Sequence, residues 1–149
     1  MSIELDWLSG RMLGLQGPDR PWTILLGIRL HTSVPRHRVE DAWRQLCAHR
    51  PELTATLGDD LRWHLGAPTP TVVGPVEPEL DRHLTVGVDP AVRVVVDADP
   101  VTTIRFVVNH ALADGMGVRG MADDLLRVLT GHEPLDRDAV RDEHLDRLR

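Results

Sequence analysis

Residues 103–120 read TIRFVVNHALADGMGVRG, and how this stretch divides decides how the rest of the chain is read. Its first part is β-rich: Ile104, Phe106, Val107 and Val108 give a strand with little polar interruption. From residue 116 the pattern turns helical. Val118, Met121, Ala122, Leu125 and Leu129 form one stripe, and Gly131 stands where a C′ glycine belongs, which predicts a helix over 116–130. Between strand and helix lies His110-Ala-Leu-Ala-Asp114-Gly115, the pattern H-x-x-x-D-G. A neutral imidazole at a strand-to-helix junction is a good general base near neutral pH, so His110 is the first candidate for chemistry. Asp114 is placed to cap the helix behind it.

The same residues also spell G-x-G-x-x-G at Gly115, Gly117 and Gly120, with Asp136 downstream as a ribose-binding acid. In a dinucleotide fingerprint the glycines turn directly off the strand end, and a second parallel strand follows the helix. Here residues 109–114 intervene, and HEPLDRDAVRDEHLDRLR after Gly131 contains no apolar strand. The geometry argues against a dinucleotide site.

Upstream, TILLGIRLH over 23–31 reads as a buried strand between Pro21 and Pro35. Residues 36–50 form an amphipathic helix with Val39, Ala42, Trp43, Leu46 and Cys47 on its apolar stripe, stopped by Pro51. Short strands are expected near 53–57 and 61–65 around a Gly58-Asp59-Asp60 turn, and near 71–73. Residues 91–97 pair with 101–109 through a hairpin at 98–100. Residues 136–149 alternate acids and arginines around Val140, Leu145 and Leu148, a solvated helix with a thin apolar edge. The order β-α-β-β-(β)-β-β-α-α predicts a mixed sheet with helices packed against it, in the α+β or α/β range. The domain is expected over 1–132, with 133–149 as a helical tail and possible partner contact.

At 149 residues the chain is one domain by size, and 42% hydrophobic with 27% charged residues is ordinary for a globular protein. The net charge is −6, and its surplus of acids falls after residue 75, so a nucleic-acid partner is not expected. No apolar run is long enough to span a bilayer, and the N-terminal residues lack the apolar core of a signal peptide, so a cytoplasmic location is expected. Every basic residue is Arg; with neither Lys nor Tyr, Schiff-base and tyrosine-acid chemistry are excluded. Cys47 is expected in the core. His110 and Asp114 lack a third ligand, so no metal site is expected.

The H-x-x-x-D-G segment and its flanks resemble the superfamily of CoA-dependent acyltransferases. That superfamily includes chloramphenicol acetyltransferase, the condensation domains of nonribosomal peptide synthetases, polyketide-associated acyltransferases and wax ester synthases. The shared motif is H-H-x-x-x-D-G; here Asn109 replaces the first His, while His110, Asp114 and Gly115 are kept. TILLGIRL, VEDAWRQLCAHRPEL, the strand opening Val92-Arg93-Val94 and MADDLLRVLTG recur in that order, so the resemblance spans roughly residues 5–132. It implies a single chloramphenicol acetyltransferase-like lobe, half of a two-lobed condensation-type fold. It gives His110 the task of deprotonating a hydroxyl or amine that attacks an acyl thioester. The thioester is a co-substrate on CoA or on the phosphopantetheine arm of a carrier protein, and no bound cofactor is implied. Asp114 is mostly architectural in the family and pairs with an Arg. In many condensation domains that Arg sits where Thr54 stands here, which leaves Arg29, Arg93 and Arg105 as candidate partners. Gly115 allows close approach of the reacting group, and Asn109 still offers a hydrogen bond.

The chain ends one helix after the motif, so the resemblance implies that a second lobe comes from a C-lobe-like partner or from self-association. Three functions follow. One is an acyltransferase or condensation-type subunit in natural-product or lipid biosynthesis. The second is a non-catalytic lobe that binds a carrier protein or a synthase. The third is a repurposed lobe using His110 as base for a cyclisation or elimination. A complex-forming subunit is expected to expose an apolar face on its sheet edge and around 136–149.

Overall fold

The computed structural model describes residues 2–4, 22–58, 60, 62–66, 72–73, 84, 89–97 and 100–136. In chain order these give β1 (Ser2–Glu4), β2 (Thr23–Arg29), α1 (Arg36–His49), a 3-10 turn (Pro51–Thr54), β3 (Ala55–Leu57) and β4 (Arg62–Leu65). Then come β5 (Val72–Val73), β6 (Val92–Asp97), β7 (Thr103–Asn109) and α2 (Gly115–Leu129). The larger sheet has the order β2-β7-β6-β5, and the smaller one β1-β4-β3. β5 runs parallel to β6 and the other pairs are antiparallel. This is the expected α+β arrangement, a mixed sheet with helices against it.

Alternation along β6 and β7 places the core. Val92, Val94 and Val96 stand opposite Val108, Phe106 and Ile104, and all six are buried. Val39, Trp43 and Leu46 of α1 and Val118, Ala122 and Leu125 of α2 complete this cluster. Trp43 meets Phe106 edge-on, with ring centroids 6.3 Å apart, a geometry that adds roughly 0.5–1.5 kcal/mol to the burial itself. On the other face Val95 and Val107 pack under Leu84. Cys47 lies on the buried stripe of α1 as expected, and burial, with Glu52 nearby, pushes its thiol up to about 12.

One expectation is corrected. Residues 23–31 are not a buried strand: β2 ends at Arg29 and forms, among the described residues, one edge of the larger sheet. Ile24, Leu26 and Ile28 turn toward the helices and are half-buried, while Leu25 on the other face is 57% exposed. Its apolar run is almost continuous because a one-sided strand here carries leucine and glycine where polar residues usually stand.

Both helices end on identifiable devices. α2 closes in a Schellman arrangement: Gly131 has φ +83°, its N–H donates to Val128 O at 3.0 Å, and His132 N–H donates to Arg127 O at 2.8 Å. At the end of α1, an Arg50 Nη2 donates to Leu135 O at 2.7 Å and lies 3.4 Å from Asp124 Oδ2, while Leu135 N–H donates to Asp124 Oδ1 at 3.0 Å. Asp124 is only 2% exposed, so its charge needs these partners. The clasp ties both helices to residues 131–136. The tail expected from 133 is described only as far as Asp136; the predicted 136–149 helix and most of residues 1–21 lie outside the described residues.

Candidate functional site

The strand-to-helix junction is built by one bond across the sheet and two local ones. Asn109 closes β7: its N–H donates to Ala91 O at 2.8 Å, and its side-chain Oδ1 accepts from Ala111 N–H at 2.9 Å. Leu112 N–H donates to Asn109 O at 2.9 Å, which completes the turn. Asn109 is 5% exposed, so the residue in place of the family's first His is a buried turn-former. His110 comes next, half-buried, with its backbone N–H donating to Trp22 O at 2.9 Å. Its ring stands beside the Trp22 indole, with centroids 5.7 Å apart and planes tilted by 50°. Nδ1 is buried without a hydrogen-bond partner.

Asp114 is the N-cap of α2. Its Oδ1 accepts from Gly117 N–H at 2.7 Å, its carbonyl accepts from Val118 N–H at 2.9 Å, and the helix starts at Gly115, one residue earlier than expected. The expected arginine partner is corrected by this geometry. Among the described residues none of Arg29, Arg93 and Arg105 pairs with Asp114, and Arg93 instead reaches Asp89 at 3.1 Å in a buried pair. An exposed carboxylate already satisfied at a helix end needs no buried cation. Thr54, where the family's Arg is expected, is buried; its hydroxyl donates to Pro51 O at 2.7 Å and accepts from Gly66 N–H at 3.2 Å.

Two glycines differ in what they are for. A Cβ added at Gly117 would lie 3.0 Å from Ala113 Cβ and 3.4 Å from Asp114 Oδ1, so the loop folds tightly over this position. A Cβ at Gly115 would meet nothing within 4 Å, so the fold does not require glycine there and the approach to the loop stays open. Gly115, Gly117 and Gly120 lie within α2 and form no phosphate-binding turn off the strand. A groove of about 200 Å³ runs between the end of α1 and the start of α2, walled by Leu46, Leu53, Leu112, Gly117 and Met121; His110 is not among its walls. Among the described residues no group of three potential ligands could hold a metal ion, and no helix is long and apolar enough to cross a membrane.

Of the predicted site residues, Asn109 ends β7, Gly115 opens α2, and His110 and Asp114 lie on the short connection between them. The structure adds Trp22, which the sequence analysis missed. The only signal for Trp22 was its place just before β2, opposite the end of β7, and that pairing is not visible in the sequence.

Among the described residues the lobe has two helices, and His110 follows the end of the β6–β7 hairpin. No protein-family model and no curated protein sequence matches the chain. Solved structures do. The starter condensation domain of the rhizomide synthetase RzmA is similar over 100% of this chain and 44% of its own, with TM-score 0.68 and 14% identity. The X-domain from teicoplanin biosynthesis is similar over 88% of this chain and 34% of its own, with TM-score 0.71 and 19% identity. SgcC5 from Streptomyces globisporus is similar over 85% of this chain and 36% of its own, with TM-score 0.63 and 16% identity. The fold is therefore that of the condensation-type domains, and the chain spans less than half the length of each of these proteins.

Proposed function

We propose that the chain is the histidine-bearing lobe of a condensation- or acyltransferase-type catalyst. In this reading His110 is the catalytic group at an acyl thioester, carried by CoA or by a carrier protein's phosphopantetheine arm, as a hydroxyl or amine attacks it. Asn109 and Asp114 build the loop, and Gly115 keeps the approach open. The observation that carries the reading is the placement of His110. It is half-buried, fixed through its backbone to Trp22, and set between a buried turn and a capped helix on a condensation-type fold. The reading includes a second lobe, from a C-lobe-like protein or a second copy. Leu25 on the edge strand supplies exposed apolar surface for such docking. Orientation and water exclusion contribute much of the rate in such chemistry, so this lobe alone is expected to be slow.

A second reading is favoured by two observations. An X-domain in complex with OxyB is among the similar structures, with TM-score 0.72, and Asn109 stands in the motif's first position. In that reading the lobe recruits a carrier protein or an enzyme without catalysing a step.

The test compares the wild-type chain, His110→Ala and a deletion of the whole chain, in the producing cell and with acyl-thioester donors and amine or hydroxyl acceptors read by mass spectrometry. Catalysis predicts that His110→Ala lowers product about 100-fold or more. Product unchanged in His110→Ala but lost on deletion establishes recruitment. Turnover without any thioester points to the repurposed lobe.

A further inference from the structure

We propose that Trp22 is a positioning residue that holds the His110 imidazole as the tautomer with its proton on Nε2. The side chain then meets an acyl group as a hydrogen-bond donor. The tautomer stands on geometry alone; only its chemical consequence rests on the acyl-transfer reading.

The indole lies against the imidazole, with centroids 5.7 Å apart, and the His110 N–H to Trp22 O bond of 2.9 Å sets the two residues side by side through the pairing of β2 with β7. Nδ1 is buried and has no partner. A neutral imidazole carries one N–H and one lone pair, so one of them must sit on that nitrogen. A buried N–H without an acceptor is rarer than a buried acceptor short of a donor. An indole face is only a weak acceptor and does not reverse that order. The proton therefore belongs on Nε2, where water or a substrate can accept the hydrogen bond.

The consequence is specific. The lone pair of the amine or hydroxyl forms a bond to the thioester carbon, and the carbonyl π pair moves onto oxygen. That oxygen takes a hydrogen bond from His110 Nε2–H. The oxygen's pair then re-forms the C=O as the C–S bond breaks with its pair leaving on sulfur, and the proton of the nucleophile passes to that thiolate, which leaves an ester or amide and a free thiol. His110 keeps its proton throughout.

The test is two-bond proton–nitrogen correlation spectroscopy of the full chain labelled with [15N]histidine, recorded near pH 9, with His110 assigned by its loss in His110→Gln. The expected result is a single Nε2–H pattern at His110, against mixed tautomers at the exposed His31 and His37. Trp22→Leu is expected to bring His110 toward that mixture, and Trp22→Phe, which keeps a ring, to hold the single pattern. An Nδ1–H pattern or a mixture in the wild-type protein overturns the proposal, as does an unchanged pattern in a folded Trp22→Leu. Should Trp22→Leu not fold, the wild-type pattern and Trp22→Phe decide it. No substrate is used, so these outcomes are independent of whether His110→Ala loses acyl transfer.

Discussion

Asp114→Ala removes the acceptor that holds the first turn of α2, the 2.7 Å bond from Gly117 N–H. Asp114 is exposed and meets no arginine among the described residues, so the loss is that of an N-cap alone. The missing cap bond costs about 1 kcal/mol, and the missing anion at the positive end of the helix roughly 0.3–1 kcal/mol more. The sum, about 1–2 kcal/mol, is roughly 2–8 °C in Tm for a chain of this size. Asp114→Asn keeps an oxygen at the cap and loses only the charge, so it should cost about 0.3–1 kcal/mol. Urea unfolding followed by tryptophan fluorescence, with buried Trp43 as a reporter, measures both variants. A buried Asp–Arg pair behaves differently: removing one partner costs about 3–5 kcal/mol, and Asn is nearly as damaging as Ala. Losses above about 3 kcal/mol in both variants would refute the cap, and so would full stability in Asp114→Ala.

Cys47 gives a prediction in pH. Burial holds its thiol up at about 12, and the chain has neither Lys nor Tyr to titrate in the same range. Above the ordinary thiol value of 9.0 the unfolded chain releases a proton that the fold retains. Stability therefore holds below that pH and falls as pH rises toward about 12, by at most about 1.4 kcal/mol per pH unit. Urea unfolding across this window should show the fall, and Cys47→Ala should flatten it. Arg50→Ala should cost about 2–3 kcal/mol in the same assay, less than a fully buried pair because the Arg50 side chain is 24% exposed, yet substantial because it takes the cationic partner from the buried Asp124; replacing Asp124 by Leu in that background should restore part of the loss.

What was legible in the sequence was whatever repeats with a period. The stripe from Val39 to Cys47 named the buried face of α1 residue by residue, and Gly131 marked the end of α2. The β6–β7 hairpin followed from two β-rich runs close together in sequence. Pairings between distant segments carry no such signal. β1 joins β4 across most of the N-terminal half, and β2 joins β7 from farther still. For that reason the edge position of β2 among the described residues and the contact of Trp22 with His110 emerged only from the fold. At the site, the H-x-x-x-D-G string lies at the junction of β7 and α2, where the strand and helix patterns meet. Among the described residues no arginine meets Asp114, whose carboxylate finds its partner three residues onward, in the backbone of its own helix.

The pairing of β2 with β7 also sets when the site comes into being. Thr23 lies opposite Asn109, so the backbone anchor of His110 is supplied by a strand from near the other end of the chain. Closing so long a loop is slow compared with forming a hairpin or a helix. An intermediate with the β6–β7 hairpin and α2 already formed would hold every residue of the motif and still leave His110 without its anchor. A peptide or chimera carrying the motif with its own strand and helix would stop at that same stage. To move this loop to another scaffold, the first strand must travel with it.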